Sequence, residues 1–211
     1  MFTLLLAGGP FMFATLSTSI VILSIFVWRL IFLFGKTGSG KYLRTQVVGF
    51  IEQNGYAEAI QLCTAKPTPL SRVLKAALLR ANRTEKEIRR SVESVALEEI
   101  PRVKAGTPFL PQLSNLATLF GLVGTIHGLI IAFGGAASED AATRQAILSQ
   151  GIAIAFYNTF FGLIVATMGI VFFLALMGRT TSTLAIMEQS AAAVIDTILS
   201  QRDRHASGRA A

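Results

Sequence analysis

Hydrophobic positions gather in three long runs: Phe11 to Phe34, Leu113 to Phe133, and Ile147 to Met177. Each is long enough to cross a bilayer, which takes about 20 apolar residues at ~1.5 Å of helical rise per residue. The second and third runs contain no Asp, Glu, Lys or Arg and are joined by a polar link holding Gly134-Gly135, Ser138, Glu139 and Asp140. The third is longer than a bilayer requires, so it tilts or projects beyond the membrane. The pattern predicts an all-α polytopic membrane protein with three transmembrane helices.

Between the first two runs, apolar residues recur at helical rather than alternating spacing. Val47, Phe50, Ile51, Ala57, Ile60 and Leu62 predict short amphipathic helices broken at Asn54-Gly55 and ended before Pro67 and Pro69. Leu70 to Leu79 forms a further helical segment. Thr84 with Glu87 three residues on is a capping box for a helix carrying Ile88, Val92, Val95, Ile100 and Val103 on one stripe. That helix is expected to run close to or into the second span, despite Pro101, Pro108 and Pro111. After the third run, Leu184, Met187, Ala191, Val194, Ile195 and Ile198 keep a helical period. This tail is expected to pack against the Thr84 helix and build a cytoplasmic helical stalk. The predicted organisation is residues 1–35 with the first span, 36–108 as a cytoplasmic helical region, 109–178 with the second and third spans, and 179–211 as a cytoplasmic helix and tail.

Composition removes the soluble alternatives: 52% of residues are hydrophobic and the mean hydropathy is +0.58. The net charge of +7 reads as a topology signal rather than a nucleic-acid surface, because every Lys and Arg except Arg29 and Arg144 falls in 35–108 or after Met177. Three spans put those regions on one face, so the positive-inside rule gives an outer N-terminus and an inner C-terminus. Trp28 and Arg29 sit where an aromatic belt and a snorkelling base belong, and Arg29 is expected to meet a lipid phosphate or a neighbouring subunit. The first run lacks a basic n-region and exceeds an h-region in length, so it is expected to be retained. The single cysteine, Cys63, excludes a disulfide framework and a cysteine metal site and reads as a packing residue. No metal or cofactor is expected.

Gly35-Lys-Thr-Gly-Ser-Gly40-Lys41 imitates seven positions of a P-loop, but Tyr42 stands where Ser or Thr should hold magnesium. It follows a membrane span rather than a β-strand, and no α/β domain is available. A nucleotide-driven enzyme is therefore rejected.

Polar groups inside the spans need protein or water to face. They are Asn115, Thr118, Thr125 and His127 in the second run, and Gln150, Asn158 and Thr159 in the third. Small residues accompany them. Gly121, Gly124 and Gly128 give the second span a glycine face, while Gly151, Ala155, Thr159, Gly162 and Ala166 form one stripe of the third. On spacing alone, plain helix packing and a polar path both fit. His127 is equally open between a neutral imidazole bonded to a neighbouring helix and a proton relay.

Leu119-Phe-Gly-Leu-Val-Gly-Thr125-Ile-His-Gly128, followed by Gly151-Ile-Ala-Ile-Ala-Phe-Tyr-Asn-Thr159-Phe-Phe-Gly162-Leu163, resembles the MotA/TolQ/ExbB proton-channel family. The likeness covers about Pro108 to Leu176 and is greatest to the three-span ExbB and TolQ branch. It implies a ring-forming subunit, a pentamer by family resemblance, of a proton-motive-force-driven motor in the bacterial inner membrane. The ring would enclose single-span partners of the ExbD, TolR or MotB kind. By the same resemblance Thr125 and Thr159 face the channel, with Asn158 and His127 beside them, while Gly121, Gly124, Gly128, Gly151, Ala155 and Gly162 pack the helices. Ile154 stands where ExbB and TolQ carry Glu, and His127 where Trp is common, so the proton carrier would be an Asp of the partner. That departure points to a divergent branch such as a gliding-motility motor. The alternative is a non-conducting membrane scaffold assembled through the glycine faces.

Overall fold

The computed structural model describes residues 9–37, 40–135 and 140–210, with side chains treated over 9–33, 40–135 and 140–204. Every described element is a helix: α1 Pro10–Thr37, α2 Gly40–Glu52, α3 Tyr56–Ala65, α4 Pro69–Leu78, α5 Glu85–Lys104, α6 Phe109–Gly134 and α7 Ala141–Ala210. Among the described residues three helical stretches are long and apolar enough to cross a membrane, and they hold the three hydrophobic runs, the first of them up to Leu33. The P-loop imitation reaches across residues 38 and 39, and Ser138 and Glu139 of the polar link also lie outside the described residues.

The chain divides into two compact units. One comprises the described residues up to Arg29 together with Gly106–Leu176; the other comprises Leu30–Ala105 and the chain from Met177 on.

The first unit is three apolar helical segments with little polar surface. Ser17, Thr18 and Ser24 of α1 donate their hydroxyls to the carbonyls of Phe13, Ala14 and Ile20 at 2.9, 2.9 and 2.8 Å, so these groups are satisfied within their own helix. The buried edge of α1 runs through Met12, Thr15, Thr18 and Ile22 to Arg29. It reaches α7 at Phe26, whose ring stacks on Phe172 at 3.9 Å between centroids, and α6 at Phe11, whose ring meets His127 edge-on at 5.4 Å.

Arg29 departs from expectation. It is completely buried, and its Nε–H donates to Thr107 Oγ1 at 3.1 Å, in the turn that leads into α6. Gly106 makes this approach possible: its φ of +78° suits glycine, and a Cβ there would lie 3.2 Å from Trp28 and 3.4 Å from Arg29 Cδ. The guanidinium is thus engaged within its own chain and is not held out to a lipid phosphate. The same turn separates α5 from α6, which are successive helices rather than one.

The second unit has a core that threads α2 to α5 and the end of α7: Leu43, Val47 and Ile51 of α2, Cys63 of α3, Leu70 and Leu74 of α4, Ile88, Val92 and Val103 of α5, and Met187, Val194 and Ile198 of α7. The tail stripe therefore packs with the Thr84 helix, and Arg89 reaches Asp196 at 4.0 Å. Asn54 at φ +57° makes the predicted break between α2 and α3. The capping box is present: Thr84 Oγ1 accepts from the Glu87 amide, and Glu87 accepts the Thr84 amide at 3.0 Å. The Thr84 hydroxyl, which donates to the Glu87 carboxylate at 2.8 Å, and after it the Thr84 amide favour the carboxylate and hold Glu87 below its ordinary titration range. A second capping box, Thr68 with Ser71, opens α4 ahead of Pro69.

Glu99 is a carboxylate that hydrophobic patterning does not reveal. It is 2% exposed and accepts from Arg72 at 2.8 Å and from Arg102, which offsets the cost of burying its charge between α4 and α5. Burial also pushes the Cys63 thiol up to about 11. Only on the order of a thousandth of it would be thiolate at pH 8, and the thiolate is the nucleophile. Cys63 in the folded protein is expected to resist iodoacetamide at that pH and to react fully after denaturation, as read by mass spectrometry. Rapid native labelling would contradict its placement.

Candidate functional site

The α6–α7 seam brings together most of the residues singled out by spacing. Gly121 lies against α7 so closely that a Cβ would be 3.0 Å from the Asn158 carbonyl and 3.1 Å from Gly162 Cα. At Gly128 it would be 2.6 Å from the Ala155 amide nitrogen, and at Gly151 2.5 Å from the Ala132 amide nitrogen. At Gly162 it would be 2.9 Å from Gly121 Cα. These are backbone-to-backbone approaches that only hydrogen-sized side chains permit, as in small-residue membrane packing. The stripe extends further than the motif: Ser114, Ala117 and Ala132 continue it on α6, and Gly169 continues it on α7 opposite Ser114. Sequence reasoning missed Ser114, although its spacing of three and seven residues from Ala117 and Gly121 carries the signal.

Thr125 and Thr159 meet across this seam. Their hydroxyls are in direct hydrogen-bonding contact, either one able to donate. Thr125 also addresses the carbonyls of Gly121 at 3.0 Å and Ala155 at 3.3 Å, and Thr159 addresses Ala155 at 3.1 Å. Two hydroxyls have two protons to give and four lone pairs. One proton joins the pair and the other goes to a carbonyl, which leaves lone pairs able to accept from an incoming acid. Both side chains are half-buried, so the cluster has an open side.

Asn158 and His127 are placed differently. Asn158 is 1% exposed; its amide Nδ2 donates to the Ile154 carbonyl at 2.9 Å, and its side chain lies over Gly124. His127 is two residues from Thr125, about 200° around a helix of 3.6 residues per turn. It turns toward the first turn of α1, against Phe11. Its Nδ1 is buried with no hydrogen-bond partner. Asn115 is exposed, and Thr118 addresses the Ser114 carbonyl at 3.3 Å. The seam thus has one flank occupied by α1 and the imidazole, and another carrying the threonine pair.

An unpartnered buried nitrogen costs more than an apolar group of the same shape. His127→Phe, which keeps a ring against Phe11, is expected to leave the melting temperature unchanged or raised by a few degrees. A fall of that size would show that the imidazole has a polar partner.

Neither α6 nor the apolar part of α7 supplies a carboxylate, and Ile154, 8% exposed, fills the position one turn before Asn158. Among the described residues no cluster of His, Cys, Asp or Glu could hold a metal. The seam can therefore exchange hydrogen bonds with a proton-bearing group but offers no acidic side chain of its own.

Comparison with known proteins fits this arrangement. The chain is 26% identical over 125 residues to an ExbB homologue of Methanothermobacter thermautotrophicus, covering 57% of this chain and 44% of that protein. It is 30% identical over 92 residues to biopolymer transport protein exbB1 of Vibrio cholerae, covering 43% and 40%. Against a biopolymer transport ExbB-like protein of Synechocystis it is 30% identical over 105 residues, covering 49% and 50%. The chain spans half or less of the length of these relatives. The model of the MotA/TolQ/ExbB proton channel family matches residues 65–189, more than half of the chain, including the whole α6–α7 seam. This three-span membrane protein belongs to the MotA/TolQ/ExbB proton channel family, whose members are channel proteins and not enzymes.

Proposed function

We propose that this chain is a ring-forming subunit of a motor in the bacterial inner membrane, driven by the proton-motive force and acting on single-span partners of the ExbD, TolR or MotB kind. The observation that carries the reading is the hydroxyl contact between Thr125 and Thr159 in a pair of helices with no carboxylate. In this reading the two hydroxyls line the path, Asn158 and His127 stand behind it, and a partner Asp carries the proton. A pentameric ring, an outer N-terminus and an inner C-terminus complete the picture.

Chemically, a protonated partner carboxyl can pass an apolar wall without the cost of a buried charge. Once it loses its proton toward the cytoplasm, the carboxylate gains from the one hydroxyl proton of the Thr125–Thr159 pair that can turn to it from a backbone carbonyl. One charge falling through 100 mV releases ~2.3 kcal/mol, enough to bias such a step in one direction. The cytoplasmic helices α2 to α5 would offer the surface that transmits the motion.

A second reading is the non-conducting scaffold, favoured by the closeness of the glycine seam. Co-purification with a single-span, Asp-bearing membrane protein and reconstitution into liposomes separates the two. The motor reading expects proton uptake driven by an imposed potential, lost when the partner Asp becomes Asn. Uptake no greater than that of empty liposomes, with the complex intact, favours the scaffold.

A further inference from the structure

We infer that Asn158 is the positioning residue of the threonine site: its buried amide, seated in the hole left by Gly124, fixes the one register in which Thr125 and Thr159 meet. The row Gly121, Gly124, Gly128 and Ala132 is nearly regular and almost featureless. A partner helix of small residues could slide along it by one turn, about 5.4 Å, and find similar contacts. Such a slide would part the two hydroxyls.

Asn158 removes that freedom. Its side chain lies where a Gly124 Cβ would be, at 2.6 Å from both its own Cβ and Oδ1, so the amide and Gly124 fit as knob and hole. The neighbouring positions cannot take the knob. Gly121 is filled by the Asn158 carbonyl and Gly162 Cα, at 3.0 and 3.1 Å from a built Cβ, and Gly128 by the backbone of Ala155 and Gly151 at 2.6 and 2.7 Å. The Nδ2 bond to the Ile154 carbonyl, 2.9 Å, holds the amide in its rotamer. A single buried Asn is the best-attested device for choosing among registers of otherwise equivalent helix pairs, and here the choice is steric, because the backbones of α6 and α7 approach too closely at Gly121 and Gly128 to admit its side chain. Thr125 and Thr159 each follow the knob-and-hole pair by one residue, so the register set at 124 and 158 is the register of the hydroxyls.

This rests on the proposed channel reading only for its flux readout. The geometric readout stands apart. In full-length protein with Cys63 replaced by Ala, Thr125→Cys and Thr159→Cys are expected to cross-link efficiently in membranes under mild oxidation. Asn158→Ala should lower the yield at least about fivefold, whereas Asn158→Asp, isosteric and able to donate to the Ile154 carbonyl in the neutral form that burial favours, should keep it. If Asn158→Ala does not accumulate, Gly124→Ala, which closes the hole and leaves Asn158 in place, must lower the yield by a similar factor. Undiminished cross-linking in whichever of these two variants accumulates overturns the inference, as does an equal loss in Asn158→Asp. Proton uptake in reconstituted complex should fall alongside cross-linking in Asn158→Ala. If Thr125→Val with Thr159→Val leaves uptake intact while Asn158→Ala still loses cross-linking, the channel reading fails and the positioning role stands.

Discussion

Gly128→Val is expected to prevent accumulation of folded protein in the membrane. A Cβ at 128 would sit 2.6 Å from the Ala155 amide nitrogen, 2.7 Å from the Gly151 carbonyl and 2.9 Å from Ala155 Cα. All three are backbone atoms and cannot rotate away, so α6 and α7 must separate. Overpacking of a tight core costs roughly 1–3 kcal/mol even when side chains can adjust. Here the separation would also forfeit the contacts at Gly121, Gly151 and Gly162. Glycines without neighbours provide the control: nothing lies within 4 Å of a Cβ at Gly134 or Gly178. Gly178→Ala, in the interior of α7, should be neutral or stabilising by up to about 1 kcal/mol. Membrane yield and the thermal midpoint in detergent read both outcomes. A Gly128→Val protein with a parental midpoint would mean that the seam is not as tight as the geometry requires.

Much of the fold is legible in the sequence because a bilayer leaves few options: apolar runs of sufficient length with satisfied backbones must be helices. Local chemistry carried further detail. Asn54-Gly55 predicted a break that the positive φ of Asn54 makes, and Thr84 with Glu87 predicted a cap that both of its hydrogen bonds form. What periodicity does not encode is which polar group meets which neighbour. Arg29 reads equally well as a snorkelling base and as a buried one; the left-handed Gly106 that admits it lies 77 positions away and announces nothing by itself. Glu99 is hidden for the same reason, its partners being Arg72 on another helix and Arg102 one turn on. Within the site, Asn158 and Thr159 are adjacent in sequence yet about 100° apart around the helix. One falls in the hole at Gly124, the other on the hydroxyl of Thr125. Distinguishing them required the position of α6, which a stripe on a single helix does not contain.

Replacing both Thr125 and Thr159 by Val is expected to reduce proton uptake of the reconstituted complex by at least about tenfold, the equivalent of ~1.4 kcal/mol on the rate-limiting barrier. Val preserves the branched shape, so the seam keeps its volume. What goes is the pair of hydroxyls and their bonds to each other and to the carbonyls of Gly121 and Ala155. Interhelical side-chain hydrogen bonds in membranes contribute only about 0.6 kcal/mol on average, so folding and assembly should survive the loss. Conduction should not, because a partner carboxylate at this depth would then face apolar wall on the one flank that has hydroxyls to offer, and the cost of an unpaired buried charge far exceeds one hydrogen bond. Thr→Ser at either position restores a donor and should recover most of the uptake, which separates the need for a hydroxyl from the need for a particular shape. If the double Val variant conducts at the parental rate while remaining assembled with its partner, the threonines are packing residues and the proton passes elsewhere.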